Sequence, residues 1–201
     1  MGKLDINKKK KHDALLDSAY NLFTTKGFSK TSISEIVNNA HVAKGTFYLY
    51  FDDKFDLKDK LTSFKSKQIF RKAFEDLESN MHLSFNDRVI FVVDNIINQL
   101  STDKRLLAFV AKNLSWGVFK SAIDFEDKSD QINVRKILVN APDTLREPEI
   151  LLFMIVEIIS SVIYSSVLYN EPKKFEEIRP FLYQSIRNMV DNHVNEFEAV
   201  S

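Results

Sequence analysis

Apolar residues recur at helical spacing along nearly the whole chain. Leu15, Leu16, Ala19, Leu22 and Phe23 mark one side of a predicted helix from His12 to Lys26, closed by Gly27. Ser32 followed by Glu35 forms a capping box, so a second helix is expected to start at Ile33 and to bury Ile36, Val37 and Ala40. It should stop at His41, a residue type that tolerates left-handed backbone. Val42 then plugs the turn and Lys44 opens a further short helix. At about 100° per residue, Phe47 and Phe51 share its inner side with Ala43 and Tyr50 nearby. Gly45 and Leu49 lie opposite, flanked by Thr46 and Tyr48. Two short helices joined by a tight turn predict a helix-turn-helix, whose second member enters a DNA major groove. The plain alternative is a helical pair inside an ordinary all-α domain.

Beyond residue 53 the pattern stays helical. No proline precedes Pro142 and hairpin dipeptides of the Asn-Gly kind are absent. Asp52 or Asp53 caps a long helix from Lys54 to about Asn80, with Leu57, Leu61, Phe64, Phe74 and Leu77 inward. Asn86 or Asp87 opens a helix through Leu100, and Asp103 one through about Asn113. No element is defined around Trp116 and Phe119. The acidic run DFEDKSD follows, then a helix ending at Ala141 before Pro142. Residues 150 to 169, ILLFMIVEIISSVIYSSVLY, are long enough to span a bilayer. Glu157 near its middle and the absence of a signal-like start argue instead for a buried helix bracketed by Pro148 and Pro172. A last helix covers about Pro180 to Phe197. The fold class is all-α: a three-helix helix-turn-helix domain at 1–53 and a helical domain at 54–201, with 54–80 connecting them.

Charge sharpens the reading of the first part. Formal charge is zero overall, yet residues 1–51 hold eight lysines against four acids, and residues 52–201 hold 20 basic against 24 acidic residues. Lys8, Lys9, Lys10 and Lys11 should form a solvated, disordered arm that tracks phosphates or a minor groove on DNA. Lys44 and the neighbouring helix amides can hold phosphate, Thr46 can meet a base edge, and Leu49 can touch a thymine methyl. Tyr48, Tyr50 and Lys54 reach backbone oxygens.

The stretches ALLDSAYNLFTTKGFSKTSISEIV and AHVAKGTFYLYFDDKFDL resemble the TetR family of transcriptional regulators over about Lys9 to Leu61. His41 stands where many members have glycine, a change conservative for backbone geometry. Carried over by position, the resemblance implies DNA contacts at Thr31, Ser34, Lys44, Gly45, Thr46, Tyr48, Tyr50 and Lys54. It also implies a homodimer through the last two long helices, here carrying Ile159 and Ile163, then Leu182, Ile186, Met189 and His193. Residues 62–201 match no motif, as expected of a family whose ligand domains diverge.

The remaining chemistry is sparse. With no cysteine, disulfides and thiolate chemistry are excluded, and four separated glycines leave no phosphate-cradling loop. The four histidines are scattered and no GxSxG elbow occurs. No catalytic residue, metal or cofactor is therefore assigned, and the chain reads as a non-enzyme of the cytoplasm. Phe91, Phe109, Trp116, Phe119, Phe153 and Tyr164 could line an apolar pocket with Asn95, Asn113 and Glu157 as polar anchors, though core packing explains aromatics equally well. A carboxylate such as Glu157 among apolar neighbours is paired, hydrogen-bonded or neutral, or awaits a cation. The expected function is a homodimeric repressor bound to a pseudo-palindromic double-stranded operator and released by a small apolar effector, with a cationic one as the sharper version. Alternatives are an activator or a ligand-independent regulator, and, from another class, a helical ligand carrier or enzyme with an incidental helix-turn-helix.

Overall fold

The computed structural model describes residues 3–113, 116–124, 132–133, 141–142 and 144–194. The chain divides into two compact units, Met1–Phe64 and Lys65–Ser201.

In the first unit, helix α1 (Lys3–Thr25) buries Leu15, Leu16, Ala19 and Phe23. It begins well before His12, so the lysine run is helical and not a disordered arm. Amides of Lys26 and Gly27 both donate to the Leu22 carbonyl, and Gly27 turns the chain at φ 92°. Helix α2 (Ile33–Asn39) starts as the local sequence dictates. Ser32 Oγ accepts from the Glu35 amide at 3.2 Å, and Glu35 Oε2 accepts from the Ser32 amide at 2.8 Å. Ile36 and Val37 are buried, whereas Ala40 is only half-buried. His41 takes φ 53° and reverses the chain. Helix α3 (Lys44–Phe47) is a single turn that anchors through Phe47, and Phe51 is buried just beyond it. Ala43, expected near the core, is exposed because it is the extended N-cap of that turn. The buried Ser18 hydroxyl ties α1 to α2, donating to the Ile36 carbonyl at 2.8 Å and accepting from Asn39 Nδ2 at 3.2 Å.

Helix α4 (Lys54–Glu78) is capped by Asp53, whose Oδ1 accepts from the amides of Phe55 and Asp56 at 2.7 and 2.8 Å. Leu57 and Leu61 fall in the first unit; Phe74 and Leu77 are buried in the second. Helix α5 (Phe85–Thr102) begins one residue earlier than expected, because Ser84 and not Asn86 or Asp87 is its cap. Ser84 Oγ accepts from the Asp87 amide at 3.2 Å and donates to the Asp87 carboxylate at 2.6 Å. Helix α6 (Lys104–Asn113) is capped by Asp103 as expected. A further helix, α7 (Trp116–Ala122), occupies the stretch left undefined by the sequence pattern. The pairs β1 (Ile123–Asp124) and β2 (Ile132–Asn133) form a two-residue parallel bridge, too short to make a layer. Apart from that bridge, the helix expected to end at Ala141 lies outside the described residues.

Helix α8 (Pro148–Leu168) has Pro148 in its first turn, where the missing amide costs nothing. It packs against α5, α6 and helix α9 (Phe175–Val194). Its inner row is Leu151, Ile155, Ile159 and Ile163; α9 contributes Leu182, Ile186 and Val190. A polar seam joins α5 to α9: Arg179 and Tyr183 both donate to Asp94, Arg187 donates to Asp87 at 2.8 Å, and Asn86 to Asp191 at 2.6 Å. Burial, then the bond to Asp94, pushes the Tyr183 hydroxyl up to about 12.

Candidate nucleic-acid interface

The capped start of α2 and the reversal at His41 fix the angle at which α3 follows α2. Phe47 and Phe51 hold that turn from inside, so Lys44, Gly45, Tyr48 and Leu49 are left outside. Leu49 is 78 % exposed, a large apolar side chain with no role in the unit's own core. A Cβ at Gly45 would meet nothing within 4 Å, so this chain's packing does not require glycine there and the surface is open to close approach. Ser34 is likewise exposed on α2, and Thr46 is half-buried.

A groove runs from this edge to α1, lined by Asn7, Lys8 and Lys11 with Thr46, Leu49 and Tyr50. Tyr50 locks the two sides together: its hydroxyl donates to the Lys8 carbonyl at 3.0 Å, and its ring meets that of His12 edge-on at 5.5 Å. His12 also stacks on Phe51 at 5.6 Å. The first turns of α1 are thereby fixed beside α3, and two of the four lysines face the groove. Lys9 and Lys10 do not line it. Nothing in the apolar pattern points to Asn7 or His12. Once the helix is extended to Lys3, the i, i+1, i+4 spacing of Asn7, Lys8 and Lys11 puts them on one face.

Two expected DNA contacts are used inside the unit instead. Thr31 is buried, its hydroxyl donating to the Gly27 carbonyl at 2.9 Å. Lys54 Nζ donates to the carbonyls of Phe28 and Thr31 at 2.9 and 2.8 Å and sits over the Phe28 ring at 4.4 Å. Both clamp the 27–31 connection ahead of α2, so they position the motif. Lys26 pairs with Glu35, and this bond, followed by those from Ser32, draws the Glu35 carboxyl down to about 2.

The second unit encloses an apolar cavity of about 80 Å³. Its walls include Phe70 and Phe74 of α4, Val93 and Ile96 of α5, Phe119 of α7, and Ile155, Ile159 and Ile163 of α8. Among the described residues, Ser66 and Ser160 are its polar lining residues and no ionisable side chain lines it. Among the aromatics and polar anchors expected in a pocket, Phe119 alone contributes to this wall. Trp116 stacks behind Phe119 at 5.3 Å and meets Phe153 edge-on at 5.3 Å. Phe153 is exposed, Phe109 is buried away from the cavity, and Phe91 is half-buried without lining it. Asn95 donates to Asp76 at 2.8 Å, Asn113 to the Phe109 carbonyl at 2.6 Å, and the Tyr164 hydroxyl lies 3.3 Å from that of Tyr169. Glu157 sits on the side of α8 exposed within the chain, the face that also carries Ile150 and Phe153, and does not line the cavity, so it is no anchor there for a cation.

The expected dimer residues are also relocated. Ile159 and Ile163 line the cavity, and Leu182 and Ile186 are buried within the same chain, so none is free to meet a partner. Met189 is half-buried, and His193 Nδ1 lies 2.9 Å from the Arg146 carbonyl. The apolar side chains left outside on these two helices are Ile150, Phe153 and Phe181.

Residues 15–60 match the family described as bacterial regulatory proteins, tetR family. Over 99 residues the chain is 27 % identical to the fatty acid metabolism regulator protein of Bacillus subtilis (strain 168), covering 49 % of this chain and 50 % of that one. It is 35 % identical over 96 residues to the uncharacterized HTH-type transcriptional regulator YdgC of the same organism, covering 46 % and 48 %. The chain thus spans about half the length of these curated relatives. Among solved structures, the fatty acid degradation regulator FadR of Bacillus halodurans superposes with a TM-score of 0.59 at 19 % identity, covering 88 % of this chain and 94 % of that one. A TetR-family transcriptional regulator of Streptomyces coelicolor gives 0.63 at 16 % identity, covering 91 % and 99 %. These two likenesses extend the shared fold over most of the chain. Residues 15–60 thus form a helix-turn-helix domain of the kind found at the N-terminus of tetR-family bacterial regulatory proteins.

Proposed function

We propose that the protein is a homodimeric repressor of the cytoplasm that binds a pseudo-palindromic operator and leaves it when a small apolar effector fills the cavity of the second unit. Residues 1–53 read DNA, residues 54–201 bind the effector and the partner copy, and α4 serves both because it contributes to both units. The observation that carries the DNA-binding reading is the groove in which Lys8 and Lys11 flank Thr46, Leu49 and Tyr50. Lysines there neutralise phosphates, while Thr46 and Leu49 meet base edges.

Dimerisation is supported by α8, of whose most apolar window only 28 % is buried within the chain. A second copy covers the side bearing Ile150 and Phe153, together with Phe181 of α9. Two recognition helices then read successive major grooves about 34–36 Å apart. An effector that prefers another spacing weakens operator binding by the same factor as the operator weakens effector binding. The cavity's apolar walls favour an effector of hydrocarbon character, in keeping with the fatty acid metabolism named for one relative.

Selection of bound fragments from the source genome tests the proposal. Inverted repeats are expected, with half-site centres one helical turn apart. Enriched sites without inverted symmetry, or a one-to-one complex of chain and site, would overturn the dimeric reading.

A further inference from the structure

Ser66 sits in the middle of α4, is 1 % exposed, and lines the cavity. Its hydroxyl has no hydrogen-bond partner among the described residues. A buried serine or threonine in a helix has an ordinary way out, donating to the carbonyl four residues back. Thr62 takes it, to Lys58 at 2.8 Å, and Ser166 takes it, to Val162 at 2.7 Å. Ser66 does not. An unsatisfied buried hydroxyl is costly, and such a group in a native structure calls for a partner.

The rest of the wall narrows what that partner is. Without an ionisable side chain among the described lining residues, a charge placed inside would stay unpaired and would be disfavoured. At about 10–15 Å³ for each water-sized centre, the cavity seats roughly five to eight such groups. We infer that the cavity takes a neutral aliphatic molecule of about five to eight heavy atoms whose one hydroxyl or carbonyl oxygen bonds to Ser66. This rests on the reading of the cavity as the effector site, and it makes Ser66 the residue that tells an oxygenated chain from a bare hydrocarbon.

The chain supplies its own reporter. Trp116 is its single tryptophan and stacks on Phe119, a cavity wall. The protein and Ser66→Ala are titrated with hexan-1-ol, 1-chlorohexane and hexanoate, following Trp116 emission and the rise in Tm that accompanies binding to the folded state. Ser66→Ala breaks no hydrogen bond among the described residues, so the variant folds. Hexan-1-ol is expected to bind it about threefold to tenfold more weakly, the value of one hydrogen bond. 1-Chlorohexane should not discriminate, and hexanoate should bind both proteins more weakly than the alcohol. Equal hexan-1-ol affinity in the two proteins would overturn the role of Ser66 and leave the cavity as the effector site. Tighter binding of hexanoate than of hexan-1-ol would overturn the neutral ligand class. No change in either emission or Tm with hexan-1-ol would remove the proposal together with the cavity reading. Normal hexan-1-ol binding with the Ser66 effect, but no release of a selected DNA fragment, would uphold the ligand site and refute effector-driven release.

Discussion

Replacing Lys8 and Lys11 by glutamine tests whether the groove, and not the charge of the segment as a whole, engages DNA. Lysine and glutamine have nearly equal helix propensity, so α1 should persist. Each phosphate neutralised contributes about −0.9 to the slope of log K against log salt. With both groove lysines on phosphates in each protomer, a dimer would lose four contacts and its slope would flatten by up to about 3.6. Between about 50 and 200 mM salt, that removes roughly two decades of salt sensitivity. Lys9→Gln with Lys10→Gln deletes the same charge from residues that do not line the groove, and should change the slope by less than about one. Fluorescence anisotropy of a labelled selected fragment, repeated across salt concentrations, gives both slopes. Equal flattening by the two pairs would show that the lysines act as a diffuse charge, and the assignment of the groove would fall.

Two further outcomes are expected. Phe181→Asp, on a side chain that is 74 % exposed, should leave each protomer folded while raising the dimer Kd by on the order of 30-fold, about 2 kcal/mol. Ile159→Asp buries an unpaired charge and should destabilise the chain itself by on the order of 3–5 kcal/mol; sedimentation and thermal melts separate the two effects, and a dimer unchanged by Phe181→Asp would refute the surface. Glu35 has its carboxyl drawn from 4.5 to about 2, so its contribution to stability is complete above about 4.5 and is lost as pH falls towards 2. Melts of wild type and Glu35→Gln down to that pH should converge through this window, and parallel curves would show that the capping box carries no pH-linked stability.

How much was legible in the sequence tracks the range of the interactions involved. The Ser32–Glu35 box and the Asp103 cap close within three residues, so residue type and spacing suffice to read them. The early start of α1 is another matter. Its lysine run has no apolar period, and its first turns are held by a bond from Tyr50, 42 residues away. Helix α8 failed differently. With apolar residues on nearly every side it has little directional signal, so Ile159 and Ile163 could equally face a partner or the chain's own core. Glu157 was the available clue: a carboxylate on an otherwise apolar helix marks its solvent side more often than a pocket. Reading it so puts Ile155, Ile159 and Ile163 inward and Phe153 outward, as observed.

The size of the cavity also bounds how an effector could work. Helix α4 gives Leu57 and Leu61 to the core of the first unit and Ser66, Phe70 and Phe74 to the cavity wall of the second, so strain at the cavity loads the helix that carries the DNA-binding unit. At about 0.3 to 1.5 kcal/mol per heavy atom, a ligand of five to eight atoms yields roughly 1.5 to 12 kcal/mol in all. Lowering operator affinity 100-fold needs a difference of about 2.7 kcal/mol between the ligand's affinities for the two states. A ligand near the bottom of that range would have to spend all of its binding energy on the difference. Effective release therefore calls for a ligand that binds near the upper end, or for a cavity that enlarges on binding, and side chains on α4 are where such enlargement would be felt at the DNA.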